Sequence, residues 1–177
     1  MALDETARPP QARIWRLTLI LVGVLTVLRV VALFVTPLEL YPDEAQYWLW
    51  SRHLDFGYFS KPPVIAWLIW ATTRIGGDAE AWLRIGSPLI NAGTALVISR
   101  IATRLYGAER GGSWVGAAAA AIFILMPGIQ LSSVLITTDT PLLFFLALMI
   151  WACVSLPHAS PRVRIWVAAG MGAALGM

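Results

Sequence analysis

Long apolar runs alternate with short polar connections along most of this 177-residue chain. The first run, Trp15–Phe34, would be about 30 Å long as a helix at 1.5 Å per residue, the thickness of a bilayer's hydrocarbon core. Arg13 and Arg16 precede it, and Thr36-Pro37 ends it. Ala81–Ile101, Trp114–Leu131 and Pro141–Leu156 repeat the pattern, and a fifth run begins at Ile165 and stops at Met177. The third run is rich in Ala and Gly, residues small enough to let helices approach closely in lipid. Between the first and second runs the pattern changes. Over residues 37–61, Tyr47, Trp48, Trp50, Phe56, Tyr58 and Phe59 interleave with Asp43, Glu44, Gln46, Arg52, His53 and Asp55. Rings with polar edges settle at the headgroup level. Asp43–His53 is therefore predicted to be an amphipathic helix lying in the interface, followed by a turn at Asp55-Phe56-Gly57. Pro62–Ile75 is apolar but would reach only about 21 Å as a helix, short for a span. It reads as a re-entrant or interfacial helix ended by Gly76-Gly77. Residues 1–12, polar and containing Pro9-Pro10, read as a disordered cytoplasmic tail.

Composition narrows the class. The chain is 58% hydrophobic and 13% charged, with a mean hydropathy of +0.71, whereas soluble domains carry about 25% charged residues. The predicted fold is all-α: a polytopic transmembrane helical bundle over residues 13–177, with interfacial helices in its first extracytoplasmic loop. Because the fifth run stops short of a full span, we expect the N-terminal fragment of a longer protein. The net charge of +3 is no nucleic-acid signature, since the arginines lie at the ends of apolar runs. With the N-terminus in the cytoplasm, that side holds Arg8, Arg13, Arg16, Arg100, Arg104, Arg110, Arg162 and Arg164. The other side holds Arg52, Lys61, Arg74 and Arg84. This satisfies the positive-inside rule only if Pro62–Ile75 does not cross. Cys153, the single cysteine, lies in an apolar run as a core or lipid-facing residue, so there is no disulfide framework. The first run is too long for a signal-peptide core and reads as a retained anchor.

In this topology two acidic clusters emerge on one side of the membrane: Asp43-Glu44, and Asp139 in Thr137-Thr138-Asp139-Thr140-Pro141. Carboxylates beside spans are costly and are candidates for function. Asp43, with Gln46 three residues on, also fits a capping box. The two roles are compatible, because a capping carboxylate can face a cleft. Thr140 and Pro141 already supply a cap and a first-turn proline, which leaves Asp139 one residue outside the helix as a solvated loop charge, an alternative cap shifted by one position, or a functional group. Lys61, the only lysine, precedes Pro62-Pro63; its ammonium suits a lipid phosphate or simple snorkelling. Arg84 at a span entrance could assist or serve as an anchor. Arg29, inside the first run, should snorkel outward or pair with a carboxylate, and His53 reads as structural. There is no metal-ligand spacing, phosphate-cradling Gly loop or nucleophile motif. A transporter is the rival class, but it would place its charges near mid-span on broken helices; a non-catalytic, truncated membrane subunit is the second rival.

Three stretches carry a family resemblance: Tyr41-Pro42-Asp43-Glu44-Ala45-Gln46-Tyr47, Tyr58-Phe59-Ser60-Lys61-Pro62-Pro63, and Thr137-Thr138-Asp139-Thr140-Pro141-Leu142-Leu143-Phe144. Together they resemble the N-terminal part of bacterial membrane glycosyltransferases of the GT-C class, near the protein O-mannosyltransferases and the aminoarabinose transferases of lipid A. The resemblance implies an inner-membrane enzyme that moves a sugar from a polyprenyl phosphate to an extracytoplasmic acceptor. It implies Asp43 as general base, Lys61 as a contact for the lipid phosphate, and Asp139 near the same cavity. Glu44 joins the catalytic candidates; Arg84 and Tyr58 join the substrate-binding ones. In such a reaction a carboxylate takes the proton of the acceptor hydroxyl. The anomeric centre is inverted, and a cation offsets the charge gained by the departing phosphate. No nucleotide diphosphate leaves, so a divalent ion is allowed but not required, and no other cofactor is implied.

Overall fold

Every regular element among the described residues is a helix. The computed structural model of the protein describes residues 11–36, 38–107 and 111–155. The elements are α1 Gln11–Val35, α2 Pro42–Ser51, α3 Val64–Gly76, α4 Glu80–Arg84, α5 Gly86–Tyr106, α6 Gly112–Leu125, α7 Pro127–Leu131 and α8 Asp139–Ser155. The all-α membrane fold expected from the sequence is thus the observed one. α1 and the nearly continuous pair Glu80–Tyr106 are long and apolar enough to cross a bilayer; α3, α6 and α8 are shorter apolar helices. Most of the predicted tail, the polar loop His158–Arg164, the fifth apolar run, and Arg8, Arg110, Arg162 and Arg164 lie outside the described residues.

α1 shows why composition pointed to lipid. Its buried residues Ile14, Thr18, Val22, Thr26 and Leu33 form one narrow stripe, while Ile20, Val27, Leu28 and Val31 are exposed. A helix apolar on its exposed face is solvated by lipid. The stripe's hydroxyls are satisfied internally: Thr18 donates to the Ile14 carbonyl at 3.0 Å and Thr26 to that of Val22 at 2.7 Å. α5 runs through the middle of the bundle, packed on α1, α6 and α8. Val22, Ala95, Ala120 and Ile124 form the core of this bundle. Trp15 lies against Arg100, and Phe34 against Trp82. α1 and α5 are therefore antiparallel, with Trp15 and Arg100 at one end and Phe34 and Trp82 at the other.

Local boundaries differ from the sequence reading at four places. Gln11 and Ala12, assigned to the tail, begin α1. α2 starts one residue early: Tyr41 is its N-cap residue, Pro42 takes the first turn, and Glu44 at the third position accepts the Tyr41 amide at 3.1 Å. Asp43 and Gln46 are thus not the capping pair, since the proline fixes the first turn ahead of Asp43. α8 likewise starts at Asp139, which lies inside the first turn; Pro141 is tolerated there because first-turn amides lack helical partners. The predicted third span is broken at Met126, whose φ/ψ of −56°/136° is extended, the conformation that a following proline imposes. The break frees the Ile124 carbonyl, a helix-end group that needs a partner. Arg29 Nη2 donates to it, and Gln130 Nε2 approaches at 3.4 Å. Arg29 pairs with a carbonyl, not the expected carboxylate, because the proline break leaves one free beside it. Cys153 is exposed on α8.

Candidate functional site

The segment between α1 and α5 leaves the bundle and returns to the same end. Arg84, 2% exposed, closes it. Its Nη1 donates to the Leu38 carbonyl and its Nη2 to that of Glu39, both at 2.9 Å, beside the end of α1. The same guanidinium grips the Glu44 carboxylate, Nε to Oε1 at 2.9 Å and Nη2 to Oε2 at 2.6 Å. Between these two anchor points α3 packs on α2. Tyr47, Ile65, Ile69, Leu83 and Ile136 form the apolar core of this cap, with Leu40, Trp48, Trp50 and Leu68 around it.

Glu44 has a further contact. Its Oε1 accepts the backbone amide of Ile136 at 2.9 Å, three residues before Asp139. One buried carboxylate therefore joins α2, α4 and the connection leading into α8. Burial raises the Glu44 pKa, but the Arg84 hydrogen bond, the Ile136 and Tyr41 amides and the Arg84 charge outweigh it, holding the carboxyl below its usual range. Asp43 and Asp139, by contrast, are exposed, each in the first turn of its helix. An acid there complements the helix dipole. Both lie close enough to Tyr47 to act on it: burial first, then the charges of Asp43 and of Asp139, push its phenol above the usual range.

The cluster divides the sequence candidates by what their polar atoms already do. Glu44 and Arg84 are buried with their polar atoms committed inward, so neither presents a free group to a substrate. The reason is their mutual desolvation: each is the counter-ion that lets the other stay buried. Tyr58 is engaged similarly. Its ring stacks on Trp50 at 4.9 Å; its hydroxyl accepts the Asp55 amide at 3.1 Å and faces the Trp50 and His53 carbonyls at 3.1 and 3.0 Å. It braces the α2–α3 loop. Trp67 Nε1 adds a bond to the Asp55 carbonyl at 3.0 Å, and the Tyr58 amide donates to the Lys61 carbonyl at 3.2 Å. Lys61 is half-buried on this braced loop, and its ammonium has no ion-pair partner among the described residues. Asp43, Asp139 and Lys61 remain as charged groups free to meet a ligand. No group of three or more His, Cys, Asp or Glu able to hold a metal ion occurs among the described residues.

Several contributors were missed in the sequence. Tyr47, 4% exposed, is the element shared by the two exposed acids. Its signal was the spacing of four from Asp43, which places both on one helix face. Asn91, fully buried in α5, donates to Ser132 and Ser133 at 3.2 and 3.0 Å and so tethers the connection that carries Asp139. An amide within an apolar run was the available signal. Asp78 holds the C-terminal end of α2 by pairing with Arg52.

Residues 60–177 match the family described as dolichyl-phosphate-mannose-protein mannosyltransferase. The chain is also 43% identical over 153 residues to the lipid A galacturonosyltransferase RgtD of Rhizobium johnstonii, a match covering 86% of this chain and 31% of that protein. The chain thus spans about a third of the curated relative's length. No solved structure matches it.

Proposed function

This chain belongs to the dolichyl-phosphate-mannose-protein mannosyltransferase family of GT-C membrane glycosyltransferases, and from that premise we propose that it carries the reaction site of an enzyme transferring a sugar from a polyprenyl phosphate to an extracytoplasmic hydroxyl. The likeness to a lipid A galacturonosyltransferase supports a glycolipid acceptor and a hexuronosyl donor. The N-terminus lies in the cytoplasm of a bacterial inner membrane, and the acidic cluster lies on the opposite face. Asp43 takes the proton from the acceptor hydroxyl as that oxygen attacks the anomeric carbon. The new glycosidic C–O bond forms as the C–O bond to the lipid phosphate breaks, with inversion. The bonding pair departs with the phosphate, whose added negative charge Lys61 offsets. Asp139 lines the other side of the site, where it accepts hydrogen bonds from sugar hydroxyls. Glu44 and Arg84 position Asp43 and touch no substrate.

The observation that carries this reading is the Glu44 contact to Ile136 at 2.9 Å. It docks the first loop onto the connection to α8, and the charges of Asp43 and Asp139, accessible carboxylates from distant parts of the chain, both act on Tyr47, which supports a shared site. The test is Asp43→Asn in the full-length enzyme in nanodiscs. A general base contributes about 10²–10⁴-fold in rate, so turnover should fall at least about a hundredfold with donor binding retained. Near-normal turnover in Asp43→Asn together with loss in Asp139→Asn would move the base to Asp139.

A further inference from the structure

The end of the bundle opposite the acidic cluster holds a cavity of about 350 Å³. α1 contributes Trp15 and Thr18 to its lining, α5 contributes Ser99, Arg100 and Thr103, and α6 contributes Ser113. None of these residues takes part in the reaction argued above. Gly111, with φ of 87°, turns the chain so that α6 begins at this cavity. The tight approach of α6 to α5 is set by Gly116: a Cβ there would lie 2.1 Å from Thr103 Oγ1 and 2.6 Å from the Ser99 carbonyl oxygen. α6 spans 14 residues, so its positive end faces the cavity with a developed dipole.

Two side chains point to what the cavity takes. Ser113 is 8% exposed, and its Oγ, buried, has no hydrogen-bond partner among the described residues. A hydroxyl in that position is costly unless something else accepts or donates to it. Arg100 lies with its guanidinium 3.9 Å from the centre of the Trp15 ring. No ion pair to Arg100 occurs among the described residues. A guanidinium, an orphan hydroxyl and the positive end of a helix make an oxyanion cradle, and a phosphate group matches all three. Beside the cavity, Leu17 and Ile20 of α1 are exposed apolar residues against which acyl chains can run.

We propose that this cavity binds a phosphate group, with Arg100, Ser113 and the N-terminus of α6 as its donors. The lipid-facing surface of α1 beside it suits the phosphodiester of an anionic phospholipid in the leaflet opposite the acidic cluster. Inorganic phosphate carries the same chemistry from the aqueous side. The site stands independently of sugar transfer, because no residue in it is shared with the proposed reaction.

The experiment uses full-length protein purified in detergent and depleted of lipid. Thermal unfolding is followed against phosphatidylglycerol in mixed micelles and, separately, against millimolar inorganic phosphate. Phosphatidylglycerol retained through detergent exchange is counted by native mass spectrometry. Wild-type protein should be stabilised, and Arg100→Gln and Ser113→Ala should each weaken apparent affinity about tenfold or more, the effect of losing a hydrogen bond to a charged group. Arg104→Gln, an exposed arginine on the same helix outside the cavity, should leave affinity unchanged. Without ligand, Ser113→Ala should unfold at the wild-type temperature or higher, because the hydroxyl it removes has no partner among the described residues. This pattern with phosphatidylglycerol alone assigns a lipid ligand; the same pattern with inorganic phosphate assigns a soluble one. Equal losses in all three variants would mean diffuse electrostatic attraction, and no loss in Arg100→Gln and Ser113→Ala would mean binding elsewhere; either overturns the proposal.

Discussion

Glu44 and Asp43 are neighbours in sequence with opposite environments, and the difference sets what each substitution should do. Glu44→Gln keeps the shape but leaves Arg84 charged and 2% exposed without its counter-ion. Removing one partner of a buried ion pair costs about 3–5 kcal/mol, so Glu44→Gln should lower the unfolding temperature markedly, where Asp43→Asn lowers turnover without unfolding. pH separates the two further. The Glu44 carboxyl is held below its usual range in the folded protein. Its stabilisation is therefore fully present above the unfolded carboxylate pKa and is lost as pH falls through the lower folded value. Wild-type stability should decline below about pH 4, the ordinary glutamate range. Glu44→Gln should lack that part of the decline, a comparison that denaturation curves at several pH values would make. Lys61 belongs to the same scale. Its ammonium is unpaired among the described residues, so Lys61→Ala should cost no stability. In the full-length enzyme it should raise the KM for the lipid-linked donor about tenfold or more, with partial recovery in Lys61→Arg. An unchanged donor KM would leave Lys61 as a membrane anchor only.

Helix ends and helix contacts were read with unequal success. The apolar runs located α1, α5, α6 and α8, because an uninterrupted lipid-facing helix must be apolar over its whole length. The starts of α2 and α8 slipped by one or two residues, since each has a proline and several capping residues that satisfy the same rule in neighbouring registers. The break at Met126 was written in Pro127 but masked by the apolar residues around it. The α5–α6 contact depends on the absence of side chains, most acutely at Gly116. Gly116→Val must push Thr103 and the Ser99 backbone aside, and overpacking of this kind costs about 1–3 kcal/mol. Gly23→Val on α1 is the control, since a Cβ there meets nothing within 4 Å. Gly116→Val should unfold at lower temperature or detergent load than Gly23→Val; equal stabilities would mean that α5 and α6 separate without penalty.

For the molecule as a whole, topology decides whether the acidic groups can share a site. Arg84 binds the carbonyls of Leu38 and Glu39, which returns the loop to its starting face and agrees with the arginine distribution. Accessible positions can test this: Phe59 is 101% and Tyr106 63% exposed, and Gln130 is exposed beside the connection to α8. In a Cys153→Ala background, single cysteines at Phe59 and Gln130 should react with an impermeant maleimide on intact cells, and one at Tyr106 only after permeabilisation. Labelling of Phe59 and Gln130 from opposite sides would separate Asp43 from Asp139 and end the shared-site reading.

The sequence by itself determined the solvent and the class. A chain with 58% hydrophobic residues in span-length runs has to be helical in lipid. It also identified the short acidic and lysine-bearing stretches, because charge next to a span is conspicuous where everything else is apolar. It did not separate Asp43 from Glu44, or Lys61 from Arg84, since residue type and spacing are nearly the same for the free and the paired member of each set. That distinction came from contacts spanning 40 and 92 positions, Arg84 to Glu44 and Ile136 to Glu44. Burial is a property of the assembled bundle: only when the loop folds back over α4 does one acid lose its water and need a partner, while its neighbour at the preceding helical position keeps its water.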